Sequence, residues 1–330
     1  MAKRYYSGID VSAHTLEVAA AFIGQEIKQG SFKNDAHGHR ALIRWLTKAG
    51  HKVQVCLEAT GHYSLQIAFA LHQHRHIKVM VVNPKAIAHY GHAHMQRAKT
   101  DPIDARLILD FAQRMPFVPW QPPPVEVLQL QGITRRVSQL KAERIRERNH
   151  LHARAHTPTT DPVAQDIKAH IQHLENRIQH LERKARALVE SVSLLHQPFL
   201  RLCSIPGIGQ TSALRIIAEL SALPKDMTPP QWVAHAGLDP RPKESGKSVN
   251  LPRRISKTGN KHLRTALYMP ALVACRRQEN VKAFYDKLIA KGKKPLQAIV
   301  AVMRKLLHAI WGVWTYDQDF DGDKFYKIPA

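Results

Sequence analysis

Lys99-Thr100-Asp101-Pro102-Ile103-Asp104-Ala105-Arg106 sets two carboxylates three residues apart at what reads as a helix start. Proline suits the first helical position, and Ile103, Leu107, Ile108 and Phe111 continue an apolar stripe until Pro116 stops it. Side chains three apart share a helix face. Two readings follow. Asp101 is an N-cap with Asp104 accepting from free backbone amides, or the two acids are half of a larger carboxylate set.

The stretches upstream bear on that choice. Tyr5-Tyr6-Ser7-Gly8-Ile9-Asp10 and Val53-Gln54-Val55-Cys56-Leu57-Glu58 are apolar runs that each end in an acid, and Leu16 to Ile23 closes at Gly24 as the next strand of a hairpin. An acid at a strand end lies at the rim of a sheet, where sites form. Four converging carboxylates repel one another unless a divalent cation neutralises them, and oxygen-only ligation selects magnesium or manganese.

Outward from these acids, residues 1 to 116 read as an α/β domain. A third strand is expected over Glu26 to Phe32, a helix over Ala36 to Ala49 and a second helix around Leu65 to Leu71. Lys78 to Val82 reads as a buried strand broken by Asn83-Pro84. Strands first, then alternating helices and strands, fit a mixed sheet better than a doubly wound one. His89, His92 and His94 fall in a loop-like stretch and read as a polar nucleic-acid face.

Five prolines, Pro116, Pro119, Pro122, Pro123 and Pro124, mark an extended linker that opens a middle segment, 117–195. Within it Leu130, Ile133, Val137, Leu140, Arg144, Glu147 and Leu151 recur at steps of three and four. Beyond a break at Thr157 to Pro162, so do Ile167, Ile171, Leu174, Ile178, Leu181, Ala185 and Leu188. Heptads on both sides of a turn predict an antiparallel helical hairpin or coiled coil, bracing one chain or joining two. Its first helix bears Arg135, Arg136, Lys141, Arg144, Arg146, Arg148 and Arg154, a run that suits a phosphate backbone or a solvated face.

The third segment, 196–330, reads as mostly helical. Pro206-Gly207-Ile208-Gly209 precedes a helix from Thr211 to Leu220, and is either a tight interhelical turn or a hairpin whose glycines admit a phosphate to backbone amides. Trp232 to Lys247 begins helical and becomes a loop with Arg241, Lys243, Ser245, Gly246 and Lys247. Arg253, Arg254, Lys257, Lys261 and Arg264 then lead into a basic helix.

The chain's 49 Lys and Arg against 26 Asp and Glu leave a formal charge of +23, which points to a polyanionic partner. Cys56, Cys203 and Cys275 are isolated, so neither a disulfide framework nor a thiolate zinc site is expected. No uninterrupted apolar run of membrane length and no leader core are evident, so a cytoplasmic protein without a membrane partner is expected.

Asp10, Glu58 and the Asp101/Asp104 pair, together with the downstream segment, resemble the DEDD transposases of the IS-one-ten insertion-sequence family, the bridge-RNA-guided recombinases. The resemblance covers nearly the whole chain. It implies an RNase H-like (RuvC-like) first domain, a coiled-coil hairpin and a mostly helical transposase domain with a helix-hairpin-helix-like motif at Gly207 and Gly209. It places the nucleophilic serine at Ser245, with Ser248 and Ser256 as fallbacks in the same loop, and implies magnesium, with manganese as the substitute, on Asp10, Glu58, Asp101 and Asp104. A noncoding bridge RNA would pair with target and donor double-stranded DNA. A dimer or tetramer would act at the bacterial nucleoid, one subunit's serine meeting another's acids. Arg135, Arg136, Lys141, Arg144, Arg148, Gly207, Gly209, Arg241, Lys243, Lys247, Arg253, Arg254, Lys257, Lys261 and Arg264 are the expected nucleic-acid contacts. The rival readings are a RuvC-like Holliday-junction resolvase using metal-activated water and a non-catalytic RNA-binding scaffold.

Overall fold

The computed structural model describes residues 5–48, 50–94, 101–154, 162–241, 244–245, 249–250 and 254–328, with the backbone alone at 101–102, 244–245 and 249–250. The chain divides into two compact units, Met1–Pro122 and Pro123–Ala330.

The first unit runs β1 (Tyr5–Val11), β2 (Thr15–Phe22), β3 (Lys28–Lys33), α1 (Ala36–Thr47), β4 (Val53–Glu58), α2 (His62–His72), β5 (Ile77–Val82), α3 (Pro84–Ala93) and α4 (Asp101–Arg114). Its sheet has the order β3-β2-β1-β4-β5. The three leading strands are antiparallel, whereas β1, β4 and β5 are parallel. Period-two alternation sends Tyr5, Ile9, Val55 and Leu57 to one core with α1 and α2, and Tyr6 and Cys56 to a second core with Ile108 and Leu109 of α4.

Helix starts follow local chemistry. The Asp35 carboxylate accepts from Gly38 N at 2.7 Å to cap α1, and Asn83 accepts from Lys85 N at 3.0 Å ahead of Pro84 in the first turn of α3. Asn83-Pro84 therefore opens a helix as well as ending a strand. His89 and His92 lie on that helix and not in a loop, a correction that follows from the Asn cap. The extended stretch after α4 stays with this unit, since Trp120 N donates to Val79 O at 2.7 Å and the indole packs on the α1/α2 core.

The second unit opens with two thirty-residue helices, α5 (Val125–Arg154) and α6 (Pro162–Ser191). They run antiparallel, as Lys141 pairs with Glu182 and Arg148 with Glu175. Val137, Leu140, Leu174 and Ile178 form their shared core. The polar seam residues are used across the pair, Arg144 facing Glu175 at 3.6 Å and Glu147 facing His170 at 3.9 Å. The break expected at Thr157 to Pro162 lies largely outside the described residues.

There follow α7 (Ser193–Ser204), α8 (Gln210–Leu220), α9 (Pro229–His235), the two-residue strands β6 (Pro240–Arg241), β7 (Glu244–Ser245), β8 (Val249–Asn250) and β9 (Arg254–Ile255), then α10 (Lys261–Arg277), α11 (Glu279–Ala290), α12 (Pro295–Tyr316) and α13 (Gly322–Phe325). Val127 and Leu130 at the base of α5 and Ala185 and Val189 of α6 belong to the main core with α8, α10 and α12. By length and composition α12 could cross a membrane, but Val302, Leu306, Leu307 and Ile310 are buried in that core.

Candidate functional site

Gly8 sets where α4 lies on β1. A β-carbon there would lie 2.2 Å from Leu109 N, 2.5 Å from Ala105 O and 2.7 Å from Ile108 C, so only glycine lets the α4 backbone rest on β1. Residues 8 and 10 share a face, so Asp10 lies on the side that α4 covers, and the α4 turn touching Gly8 at Ala105 carries Asp104 beside it. In the parallel β1/β4 ladder Ile9 lies opposite Leu57. The next step brings Asp10 and Glu58 level at the C-terminal rim of adjacent strands. Asp10, Glu58 and Asp104 are each half-buried.

Asp101 opens α4, but its side chain lies outside the described residues. Among the described residues no three acid, histidine or cysteine side chains gather closely enough to hold a cation. The donor chemistry still fits a hard divalent ion, because every candidate is a carboxylate and Asp10 and Glu58 stand level at one rim. Burial and the charge of Glu58 push the Cys56 thiol far up, so it stays protonated and offers no competing soft ligand. The Thr60 hydroxyl, two residues past Glu58, is shut off from solvent with no hydrogen-bond partner among the described residues.

Asp110, one helix face away, is spoken for. Tyr90 OH donates to it at 2.6 Å and Arg114 Nε at 2.7 Å. Burial alone would raise its pKa, but these hydrogen bonds outweigh burial and hold it below the usual carboxylate range, while burial and Asp110 push Tyr90 up to about 12. This acid locks α3 to α4.

The loop predicted to carry the serine is a ribbon standing on the α9/α10 junction. Pro240 pairs with Ile255 and Arg241 with Arg254 at its base, and Ser245 pairs with Val249 further out. Ser256 Oγ donates to the Asp239 carboxylate at 2.6 Å and Ser256 N to Asp239 O at 2.9 Å, which pins the base and occupies that fallback serine. Only the backbone of Ser245 is described, and Lys243, Gly246, Lys247, Ser248 and Arg253 lie outside the described residues.

Beneath the ribbon is a buried polar cluster that the sequence alone does not announce. Glu219 on α8 is 2% exposed. Arg135 of α5 donates to it twice, Nε at 2.8 Å and Nη2 at 2.7 Å, and Asn260 Nδ2 donates at 2.7 Å. Asn260 also caps α10 by accepting from His262 N and Leu263 N, and its own N–H donates to His235 O at 2.6 Å. Burial would raise the Glu219 pKa, but Arg135 and Asn260 outweigh it and hold the carboxylate ionised. Burial lowers His235 and His262, keeping both imidazoles neutral near pH 7.

The expected nucleic-acid residues divide by how they are used. Arg135, Lys141, Arg144 and Arg148 face carboxylates within the chain, and Arg264 donates to Ala236 O at 2.7 Å. Arg136, Arg241, Arg254, Lys257 and Lys261 are exposed cations. Gly207 has φ +97, and a β-carbon there would meet Pro270 O at 2.6 Å, so it seats the α7/α8 turn on α10. Gly209 stands exposed at the α8 N-terminus with nothing near its missing side chain.

A transposase model of the DEDD IS110 type matches residues 7–156, and a model of the IS116/IS110/IS902 transposase family matches residues 200–286. The chain is 30% identical over 322 residues to the pilin gene-inverting proteins of Moraxella bovis and Moraxella lacunata, covering 96% of this chain and 97% of each of those proteins. It is 31% identical over 136 residues to the transposase for insertion sequence element IS1111A of Coxiella burnetii, 40% of this chain and 37% of that protein.

Proposed function

The chain belongs to the IS110 family of transposases, and we propose that it is an RNA-guided DNA recombinase that cuts and rejoins strands through a phosphoserine. The observation that carries this reading is the arrival of Asp10 and Glu58 at one sheet rim, on the face where α4 opens with Asp101 and Asp104. The β3-β2-β1-β4-β5 order supports a RuvC-like fold for this unit, and the α5/α6 heptads support a coiled coil.

Asp10, Glu58, Asp101 and Asp104 would hold magnesium. When bound, magnesium supplies Lewis-acid polarisation of a phosphate oxygen and charge neutralisation. Ser245 Oγ bonds to phosphorus while the bond to the leaving sugar oxygen breaks; the serine proton leaves and the sugar oxygen gains one. Because the phosphoester is conserved, the reverse step can join the strand to a new end without a nucleotide cofactor. Arg241 and Arg254, paired at the base of the ribbon, would neutralise the phosphate. Partner choice would rest with a bridge RNA pairing to target and donor DNA, leaving this chain to grip backbone and shape as a homo-oligomer in the bacterial cytoplasm. The two Moraxella proteins, inverters by name and alike over nearly full length, support recombination in preference to simple hydrolysis.

A nicked DNA substrate that cannot be religated tests the proposal. It should trap a protein-DNA adduct that survives denaturing electrophoresis and maps to Ser245, and Ser245→Ala should lose adduct and cleavage together. Cleavage by Ser245→Ala at the wild-type rate with no adduct would establish water as nucleophile.

A further inference from the structure

In the second unit, away from the ribbon, a cavity of about 690 Å³ opens between α12, α11, α13 and the segment joining α12 to α13. That volume is typical of a site for a drug-sized ligand. One wall is a single face of α12, presenting Arg304, Lys305 and His308. The same face ends at Tyr316, and Phe320 of the segment after α12, Phe284 of α11 and Phe325 of α13 complete the lining.

The charges in this cavity are unevenly used. Its acids are committed: Asp319 takes Arg201 Nη1 at 2.7 Å, and Asp321 accepts from Asp323 N and Lys324 N to cap α13. Arg201 Nε also holds Asp317 at 2.8 Å, which fixes the wall against α7. Lys324 donates to Gln318 at 3.1 Å. Arg304, Lys305 and His308, by contrast, have no ion pair among the described residues. The Arg304 Nε is buried and has no hydrogen-bond partner among the described residues. Lys305 Nζ stands 4.7 Å from the Phe284 ring centre and 5.2 Å from that of Phe325, held between rings and not by a carboxylate. Burial first, then Arg304 and Lys305, lowers His308, which leaves a neutral imidazole able to donate and accept.

Two cations without a carboxylate partner among the described residues, a neutral imidazole and exposed aromatic surface within one recess suit a ligand that is anionic at one end and planar at the other. A chain of formal charge +23 meets such ligands as nucleic acid. The recess is too confined for a base pair within a helix, whereas an unstacked nucleotide enters such pockets phosphate against cations and base against rings. We propose that this cavity binds one unpaired nucleotide of a nucleic-acid strand, its phosphate on Arg304 and Lys305, its base against Phe320 with His308 at the base edge. The site shares none of the residues proposed to cut DNA, so it stands or falls independently of that chemistry.

The test uses the full chain and a short single-stranded oligonucleotide bearing one thionucleotide photoprobe. After irradiation, mass mapping should find adducts on peptides carrying Phe320. The same sequence as a blunt duplex should give none there. The double variant Lys305→Gln/His308→Gln, checked by its melting curve, should lower that adduct about tenfold while adducts elsewhere persist. Absence of adduct on these peptides in the wild-type chain overturns the proposal, and does so without reliance on any variant. So does an equal yield from the duplex, or a yield in the folded double variant that matches wild type.

Discussion

Gly8→Ala is the sharpest test of how the acids are placed, because it alters none of them. The new methyl carbon would sit 2.2 Å from Leu109 N and 2.5 Å from Ala105 O, whereas ordinary contact begins at 3.4 Å. Both obstructing atoms are backbone, so no side chain can swing aside and α4 must retreat from β1 by roughly 1 Å. Overpacking of this kind costs about 1–3 kcal/mol of stability. A shift of that size in a catalytic group costs on the order of a hundredfold in rate, and α4 carries Asp101 and Asp104. Gly38→Ala supplies the control: its β-carbon would meet the Lys33 carbonyl at the other face of the same unit, remote from α4. Urea denaturation should therefore report comparable losses for both variants, while magnesium-dependent strand cleavage under conditions where both are folded should collapse only in Gly8→Ala. Equal cleavage by the two folded variants would refute the claim that the β1/α4 contact sets the site.

Asp104→Asn should abolish cleavage yet keep the melting temperature within a few degrees, since shape is preserved; retained cleavage would remove this acid from the site. Arg135→Met should cost about 3 kcal/mol by stranding buried Glu219, the low end for a buried pair because Arg135 keeps some access to water, and Glu219→Leu in the same chain should restore most of it. The folded-state pKa values of His235 and His262 are lowered from 6.5, so the unfolded chain takes up protons first as pH falls. Their stabilising contribution is whole above 6.5 and is lost as pH drops from there through the lowered folded values, and Glu219 adds a further loss in the same direction below 4.5. A melting temperature that rose on acidification through this window would contradict the assignment. Arg136→Gln should lower the salt slope of nucleic-acid binding by about one, whereas Lys141→Gln, which loses a pairing to Glu182, should show mainly in stability.

The acid-ended strands, the opening of α4 and the heptads of α5 and α6 were legible because each is a local pattern with a period. Val53–Glu58 and the start at Asp101 fall where the residues alone put them. The stretch of His89 and His92 is a helix and not the expected loop because an Asn-Pro pair signals a cap and a break with equal force, and only the hydrogen bond from Lys85 N distinguishes them.

The charged residues divide differently. From sequence, Arg135 and Arg136 are neighbours in one basic run, but folding buries Glu219 beside the first and leaves the second in water. Nothing in a run of arginines tells which will meet a carboxylate 84 residues away. Likewise Gly207 reads equally well as a phosphate cradle or a turn until Pro270 O is found in the space its side chain would need. Local periodicity and capping chemistry act between near neighbours and are written in the chain, so they determined the elements and their acid-bearing ends. Desolvation, ion pairing and steric exclusion depend on which distant groups share a volume, and only the tertiary structure decided those.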